Sequence, residues 1–322
     1  MDWQDELRTL LSETKELKTP FFSINDVDVS LVDWSNNPYH AMFEMATQTW
    51  GFPGKWQKAT PRLRFEVVKM ILEKKALPLA LEAPSFTFQI NNTTRAAFDQ
   101  IARARVGVVI AARGFKDNDL SDEGFVIPPY SDKTDIDNII TLVKFNKIEY
   151  NRLRRKYPGW MARCVMQMGT RYNFIWSSTY MALQNLCSNR MNCIEEPSTV
   201  AVSWLMKKAL ASKFPLLADY LRPLEAWKNK CIVKEFNGFS GIVGIPHAEC
   251  SLGGHQSVES GKPNLHDRGS GQTGSSQYVE CETVCTDVKK LLQDLNVNGD
   301  FKNYTWETLE PHDKELFERN RG

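Results

Sequence analysis

The stretch from Glu82 to Pro129 constrains the fold more than any other part of the chain. It opens with Glu82-Ala-Pro-Ser-Phe-Thr-Phe-Gln-Ile90, whose alternating aromatic residues predict a strand with one buried face. Asn91-Asn92 then signals a turn. Thr93 or Thr94 can cap a helix, because a threonine hydroxyl takes up an N–H that the first turn leaves unpaired. On that helix Ala97, Ile101 and Ala104 fall on one side, while Gln100 and Arg103, three residues apart, fall on another. An amide and a guanidinium on one face can take a planar amide edge and an anion together. The competing reading is a solvated face on which Asp99 bridges Arg95 and Arg103. Val106 to Ile110 is a short β-branched run, predicted as a buried strand, and residues 114–124 are a polar loop ahead of Phe125-Val-Ile-Pro-Pro129.

A chain of 322 residues is long enough for one large core or two modest ones. Its formal charge of +1 supplies neither the basic field that nucleic acid needs nor an acidic field for basic partners. The seven cysteines, Cys164, Cys187, Cys193, Cys231, Cys250, Cys281 and Cys285, are odd in number and mostly scattered. That favours a reducing, cytoplasmic compartment over a disulfide framework. The polar, acidic N-terminus predicts no signal peptide, and no apolar run is long enough to span a bilayer. Neither nucleic acid nor a membrane is expected as a partner.

Residues 2–17 read as an amphipathic helix added to the main fold, with Leu7, Leu10, Leu11 and Leu17 as its apolar side. Val27 to Trp34 alternates as a strand. Asn37-Pro38 and Thr60-Pro61 each start a helix, the first running to about Thr49 and the second to about Ala76, with Leu63, Val67, Ile71 and Leu72 inward. His40, near the start of the first, reads as structural. Thr134 or Asp135 starts a long helix to about Tyr157, with Ile136, Ile139, Ile140, Val143, Tyr150 and Leu153 as candidate core, and Pro158-Gly159 stops it. Pro197 starts a helix to about Tyr220 whose stripe of Val200, Trp204, Leu205 and Ala209 reads as core. Residues 236–278 are rich in Gly, Ser and His and predict a long loop, with short helices following at 282–295 and 304–319. His247, Cys250, Cys281 and Cys285 could supply four zinc ligands, but their gaps match no usual finger spacing, so no metal site is predicted. Gly269-Ser-Gly-Gln-Thr-Gly274 lacks the Gly-Lys-Ser/Thr ending of a phosphate loop and reads as a linker.

Taken in order, Glu82-x-x-x-Phe86-Thr-Phe88, a turn, Arg95-x-x-x-x-Gln100-x-x-Arg103-x-Arg105 and Phe125-Val-Ile-Pro-Pro129 resemble the flavin-dependent thymidylate synthases. In that family an Arg-His-Arg-x-x-Ser-x-x-x-x-Ser-x-Arg signature follows such a strand and helix start. Arg103 and Arg105 match its first and third positions, whereas Ala104 and Val108 replace its histidine and first serine. Read without a gap, Arg113 and Phe115 replace the second serine and the last arginine; with a loop two residues shorter, Arg113 is that last arginine. A second block, Ala162-Arg163, Phe174-Ile-Trp176, Leu183-Gln-Asn185 and Arg190, also falls at family intervals. Leu77 and Leu79 stand where the family has a histidine and a serine, and Thr179 and Met181 where it has Asn and Arg. Glu195-Glu196-Pro197 replaces its Ala-Gln-x-Glu-Ile.

The resemblance implies an α+β fold, a mostly antiparallel sheet with flanking helices and a helical half. It implies three parts: an N-terminal helical extension over 1–24, the synthase-like domain over 25–222, and a C-terminal extension over 223–322. A pyrimidine nucleotide monophosphate such as dUMP would be held by Gln100, Arg103, Arg113, Arg163 and Arg190. FAD would be held by Glu82, Arg103, Arg105 and Asn185, and Arg103 and Arg190 would serve the reaction itself. NADPH and methylenetetrahydrofolate are the implied co-substrates, a methyl or hydroxymethyl group on C5 of the base the implied product, and a homotetramer with shared sites the implied assembly. Convergent arginines suit a phosphate, because a guanidinium is always charged and binds bidentately. The nucleotide-side residues survive better than the flavin-side ones, which leaves a non-catalytic nucleotide-binding or assembly protein as the second reading.

Overall fold

The alternation at residues 27–34 and 82–90 builds two neighbouring strands of one sheet. The computed structural model describes residues 20–116, 118–127, 133–191, 195–223 and 303–320. Its strands are β1 (Phe21–Phe22), β2 (Asp28–Trp34), β3 (Ser85–Thr94), β4 (Val108–Ala112), β5 (Phe125–Val126) and β6 (Arg171–Thr179). Four of them form an antiparallel sheet in the order β2-β3-β6-β4, and β1 pairs with β5 in a two-residue parallel ribbon. Phe86, Phe88 and Ile90 on β3 and Phe174 and Trp176 on β6 point to one face and are buried there. Phe88 lies opposite Trp176, and Val29 opposite Ile90. On the other face the hydroxyls of Thr87 and Ser177 meet at 2.9 Å.

The helices are α1 (Pro38–Thr49), α2 (Pro61–Leu72), α3 (Arg95–Ile101), α4 (Lys133–Lys156), α5 (Gly159–Ala162), α6 (Tyr180–Arg190), α7 (Pro197–Ala211), α8 (Pro215–Asp219) and α9 (Pro311–Glu318). The caps act as their sequences dictate. Asn37 Oδ1 accepts from His40 N at 3.1 Å, Thr60 Oγ1 from Leu63 N at 3.3 Å and Thr94 Oγ1 from Ala97 N at 2.9 Å. Helix α7 is buried nearly all round from Ser198 to Lys207 and packs on β2, β3, α3, α6 and α8, so it is the centre of the helical half.

Several elements differ from the sequence reading. Asn91-Asn92 does not end β3; the strand passes through it with a register irregularity, Asn92 taking a φ of 58° and its N–H bonding Asn173 Oδ1 at 2.8 Å. Helix α3 stops at Ile101, so Arg103 lies beyond it and does not share a helical face with Gln100. The run predicted as a buried strand is an exposed edge, beginning at Val108 rather than Val106, with Val109 72% exposed. A β-branched run specifies strand but not how many neighbours the strand has. The helix from Pro197 breaks before Pro215, whose ring cannot continue it. Helix α2 ends at Leu72, and Leu63 faces out. On α4, Val143, Ile148 and Tyr150 are buried, while Ile136, Ile139, Ile140 and Leu153 are only partly so. The predicted helices at 2–17 and 282–295, the glycine-rich run at 236–278, and His247, Cys250, Cys281 and Cys285 lie outside the described residues. Among the described residues no helix is long and apolar enough to cross a membrane.

Residues 303–320 pack onto α1 and α2. Phe317 stacks on Tyr39 with ring centroids 4.3 Å apart. Arg64, 1% exposed, donates to Trp56 O at 2.8 Å, Phe317 O at 2.6 Å and Asn320 Oδ1 at 2.9 Å. Trp56 Nε1 donates to Arg319 O at 2.7 Å and Asn37 Nδ2 to Leu316 O at 2.9 Å. Asp313 is fully buried; one carboxylate oxygen accepts from the Tyr39 hydroxyl and the other from Leu216 N at 2.8 Å.

Candidate functional site

Helix α3 organises the candidate residues. It follows β3 directly, with Thr94 as its N-cap. Its first two amides reach the segment that follows Arg163: Arg95 N donates to Thr170 O and Ala96 N to Met168 O, each at 3.0 Å. At its other end Arg190 Nη2 donates to Gln100 O at 3.4 Å. Seven helical residues span roughly 10 Å. One short helix thus joins two blocks that are distant in sequence, the Arg163 segment at its start and Arg190 at its end. The Arg95 guanidinium pairs with Asp99 at 2.8 Å and packs over Phe98, Tyr172 and Phe115. Asp99 therefore bridges to Arg95, while Arg103 takes no part in that pair.

Arg103 and Arg105 are exposed in the turn between α3 and β4. That turn is pinned at Gly107, where φ is 69° and the carbonyl accepts from Thr179 N at 3.0 Å. A Cβ on Gly107 would stand 2.9 Å from Thr179 Oγ1. Thr179, which occupies the place of a family asparagine, is the N-cap of α6. Glu82 ends a 3-10 turn over Pro78–Glu82 that packs against α6, and Pro84 O accepts from Tyr180 N at 2.9 Å. Asn185 is exposed on α6 itself. Glu82, Arg105 and Asn185 thus belong to elements that meet around the first turns of α6. Among the described residues the side chains of Arg103, Arg105 and Arg163 have no hydrogen-bond or ion-pair partner.

Two candidate arginines are already held by carboxylates. Arg113 Nη1 lies 2.8 Å from Glu123 Oε2, and its Nη2 donates to Asp119 O at 2.6 Å. Glu123 is 5% exposed at its side chain and also takes Arg171 Nε at 2.6 Å. Lys147 closes the same loop by donating to the carbonyls of Leu120 and Ser121. Burial pulls its pKa down to about 8, against the carboxylates of Glu123, Asp122 and Asp119. Arg190 Nη1 lies 2.7 Å from Glu195 Oε1, with both side chains about one-fifth exposed. Sequence reasoning passed over Arg171 and Lys147 and noted Glu195 only as a replacement. Its one available signal was a carboxylate five residues beyond an arginine and directly before a proline-started helix. Of the described cysteines, Cys164 is exposed and Cys187 is buried, its thiol pushed up to about 12 by burial.

The sequence profile of the thymidylate synthase complementing protein family matches residues 30–216, more than half of the chain. The chain belongs to this family. The structure of this family member is similar to that of PolB from Streptomyces cacaoi, described as a UMP/dUMP methylase bound with 5-Br dUMP. That match has 16% identity and a TM-score of 0.51, over 62% of this chain and 96% of that one. Thymidylate synthase X from Helicobacter pylori with FAD and dUMP matches at 13% identity and a TM-score of 0.48, over 61% of this chain and 99% of that one. No curated protein sequence matches the chain. The α+β architecture implied by the sequence resemblance is the one observed, an antiparallel four-stranded sheet with a helical half.

The side chains around α6 suit a flavin dinucleotide in kind. Arg103 and Arg105 are exposed cations with no internal carboxylate, which fits a diphosphate, and the Asn185 amide can both donate to and accept from a ring edge.

Proposed function

We propose that this family member transfers a one-carbon unit from methylenetetrahydrofolate to C5 of a pyrimidine deoxynucleotide such as dUMP. The observation that carries the reading is the contact between Arg190 and the Gln100 carbonyl. It joins two motifs 90 residues apart at one end of α3, inside the segment that matches the family profile. In this reading the Gln100 amide faces the carbonyl and N–H edge of the base, while Arg163 and Arg190 take the phosphate. Arg103 would contact both the base and the cofactor and polarise the ring. In the transfer a bond forms between C5 and the folate's methylene carbon, the carbon–nitrogen bond to the folate breaks with tetrahydrofolate leaving, and the C5 hydrogen leaves as a proton. When bound, flavin reduced by NADPH would supply the hydride that takes the methylene to methyl, and addition of water instead would give hydroxymethyl. Glu82, Arg103, Arg105 and Asn185 would hold FAD. Catalysis here consists mainly of positioning and polarisation, so it needs no cysteine nucleophile, in keeping with the raised pKa of the Cys187 thiol. An oligomer with shared sites belongs to the same reading.

The apolar replacements at Ala104 and Val108 favour a changed product or base preference, since they remove hydrogen-bonding groups where nucleotide and cofactor meet. The test is incubation with methylenetetrahydrofolate, NADPH, FAD and either dUMP or dCMP, followed by mass analysis of the nucleotide. A mass gain of a methyl or hydroxymethyl group on either nucleotide supports transfer. Efficient conversion of dUMP alone to thymidylate removes the altered preference. A colourless protein that binds nucleotide but neither binds FAD nor converts substrate supports the second reading, a non-catalytic nucleotide-binding protein. That reading is favoured by the apolar residues Leu77, Leu79 and Ala104 at cofactor-side positions where the family carries polar groups, while the nucleotide-side residues are kept.

A further inference from the structure

The two arginine–carboxylate pairs differ in a way that matters for ligand binding. Glu123 is locked: its carboxylate is buried and accepts from Arg113, from Arg171 and, at 3.3 Å, from Gly124 N. Glu195 is not locked. Among the described residues its carboxylate meets Arg190 alone, and both side chains reach solvent. Its backbone is nevertheless fixed at close range. The next residue, Glu196, is the N-cap of α7, with Oε2 accepting from Thr199 N at 2.9 Å and Thr199 Oγ1 at 3.0 Å, and Pro197 follows at the first helical position. The start of α7 thus presents Glu195 to the end of α6, where the guanidinium of Arg190 waits.

A carboxylate and a phosphate offer a guanidinium the same paired-oxygen edge, and one fork cannot serve both at full strength. A phosphate monoester that reaches Arg190 must either displace Glu195 or remain beside a like charge. We propose that Glu195 is a built-in competitor for the phosphate site, holding Arg190 in the unliganded chain and swinging aside when a nucleotide monophosphate binds. The proposal rests on the reading that Arg190 takes the nucleotide phosphate. Glu195 then sets specificity: it weakens binding of every ligand whose phosphate must reach Arg190 and leaves binding of the unphosphorylated nucleoside untouched.

The experiment is calorimetric titration of the full chain with dUMP and with deoxyuridine at one fixed ionic strength, for wild type, Glu195→Gln, Glu195→Ala and Arg190→Ala. The Gln variant keeps the shape and removes the charge; the Ala variant guards against a defect peculiar to Gln, and circular dichroism checks the fold of each. Both Glu195 variants are expected to bind dUMP roughly tenfold or more tightly than wild type, with deoxyuridine binding unchanged and Arg190→Ala weakened for dUMP. Equal tightening of dUMP and deoxyuridine would mean local repacking and overturn the proposal. Glu195 variants indistinguishable from wild type, with Arg190→Ala still weakened, would overturn it while leaving the phosphate reading intact. An Arg190→Ala variant that binds dUMP as well as wild type would overturn both.

Discussion

Asp313 ties the stability of the fold to pH. Its carboxyl is fully buried between α1 and the start of α8. Burial, helped by the Glu310 carboxylate, pushes its pKa from 3.8 up to about 7, against the hydrogen bonds from Tyr39 and Leu216, which favour the charged form. A folded pKa above the unfolded one means that the folded state binds the proton more tightly. The contribution is therefore fully present below pH 3.8 and is lost as pH rises through about 7. A shift of about three units corresponds to about 4 kcal/mol at roughly 1.4 kcal/mol per unit. Asparagine at this position can accept from Leu216 N and donate to the Tyr39 oxygen, so Asp313→Asn keeps the shape and both bonds while removing the titration. We expect urea unfolding at a series of pH values from 4 to 8 to show wild type losing about 4 kcal/mol relative to the variant across that range. Every other titrating group is common to the two proteins, so the difference curve isolates Asp313. Parallel curves for wild type and variant would refute the reasoning.

Arg64→Met leaves the Phe317 carbonyl and the Asn320 amide oxygen without the Arg64 donor, while Trp56 O keeps the Ala59 N–H, and should cost about 1–3 kcal/mol in urea unfolding; a loss below 1 kcal/mol, roughly, would show that water replaces the guanidinium. Gly107→Ala meets both a φ of 69° and Thr179 Oγ1, and should cost about 1–2 kcal/mol. Thermal unfolding checks it, and an unchanged midpoint would mean that the turn relaxes freely. Arg163→Ala should weaken dUMP binding by about 2–5 kcal/mol with the melting temperature unchanged; unaltered affinity would return Arg163 to a solvated surface.

What the sequence made legible was mostly local. Asn37-Pro38, Thr60-Pro61 and Thr94 announce their helices because cap and first-turn chemistry are settled within four residues. Intervals between motifs also singled out Arg190, which the fold brings to the end of α3. Partners supplied by other elements were not legible. Asn91-Asn92 has the composition of a turn, yet Asn173 on β6 offers its Oδ1 to the Asn92 amide and the strand continues. The apolar run at Val108 reads as buried because nothing in its own residues says that, among the described residues, β6 is its only neighbour in the sheet. Gln100 and Arg103 share a helical face only if the helix runs past Ile101, which it does not. The Glu195 contact lies between the end of one helix and the start of the next, where neither helical period applies.

The docking of residues 303–320 also bears on when the fold can be completed during synthesis. Asn37, Tyr39, Trp56, Arg64 and Lys69 all find hydrogen-bond acceptors between Tyr304 and Asn320. These groups leave the ribosome more than two hundred residues before their partners do. A nascent chain carrying the whole family-matched segment therefore still holds an uncovered aromatic face at Tyr39, Trp56 and Phe65, and a buried-type arginine with too few acceptors. Contacts of such sequence separation form slowly and leave apolar surface exposed in the meantime. Chains stalled or cleaved before residue 303 should accordingly be the ones that chaperones hold and proteases remove, even though every candidate site residue is already in place.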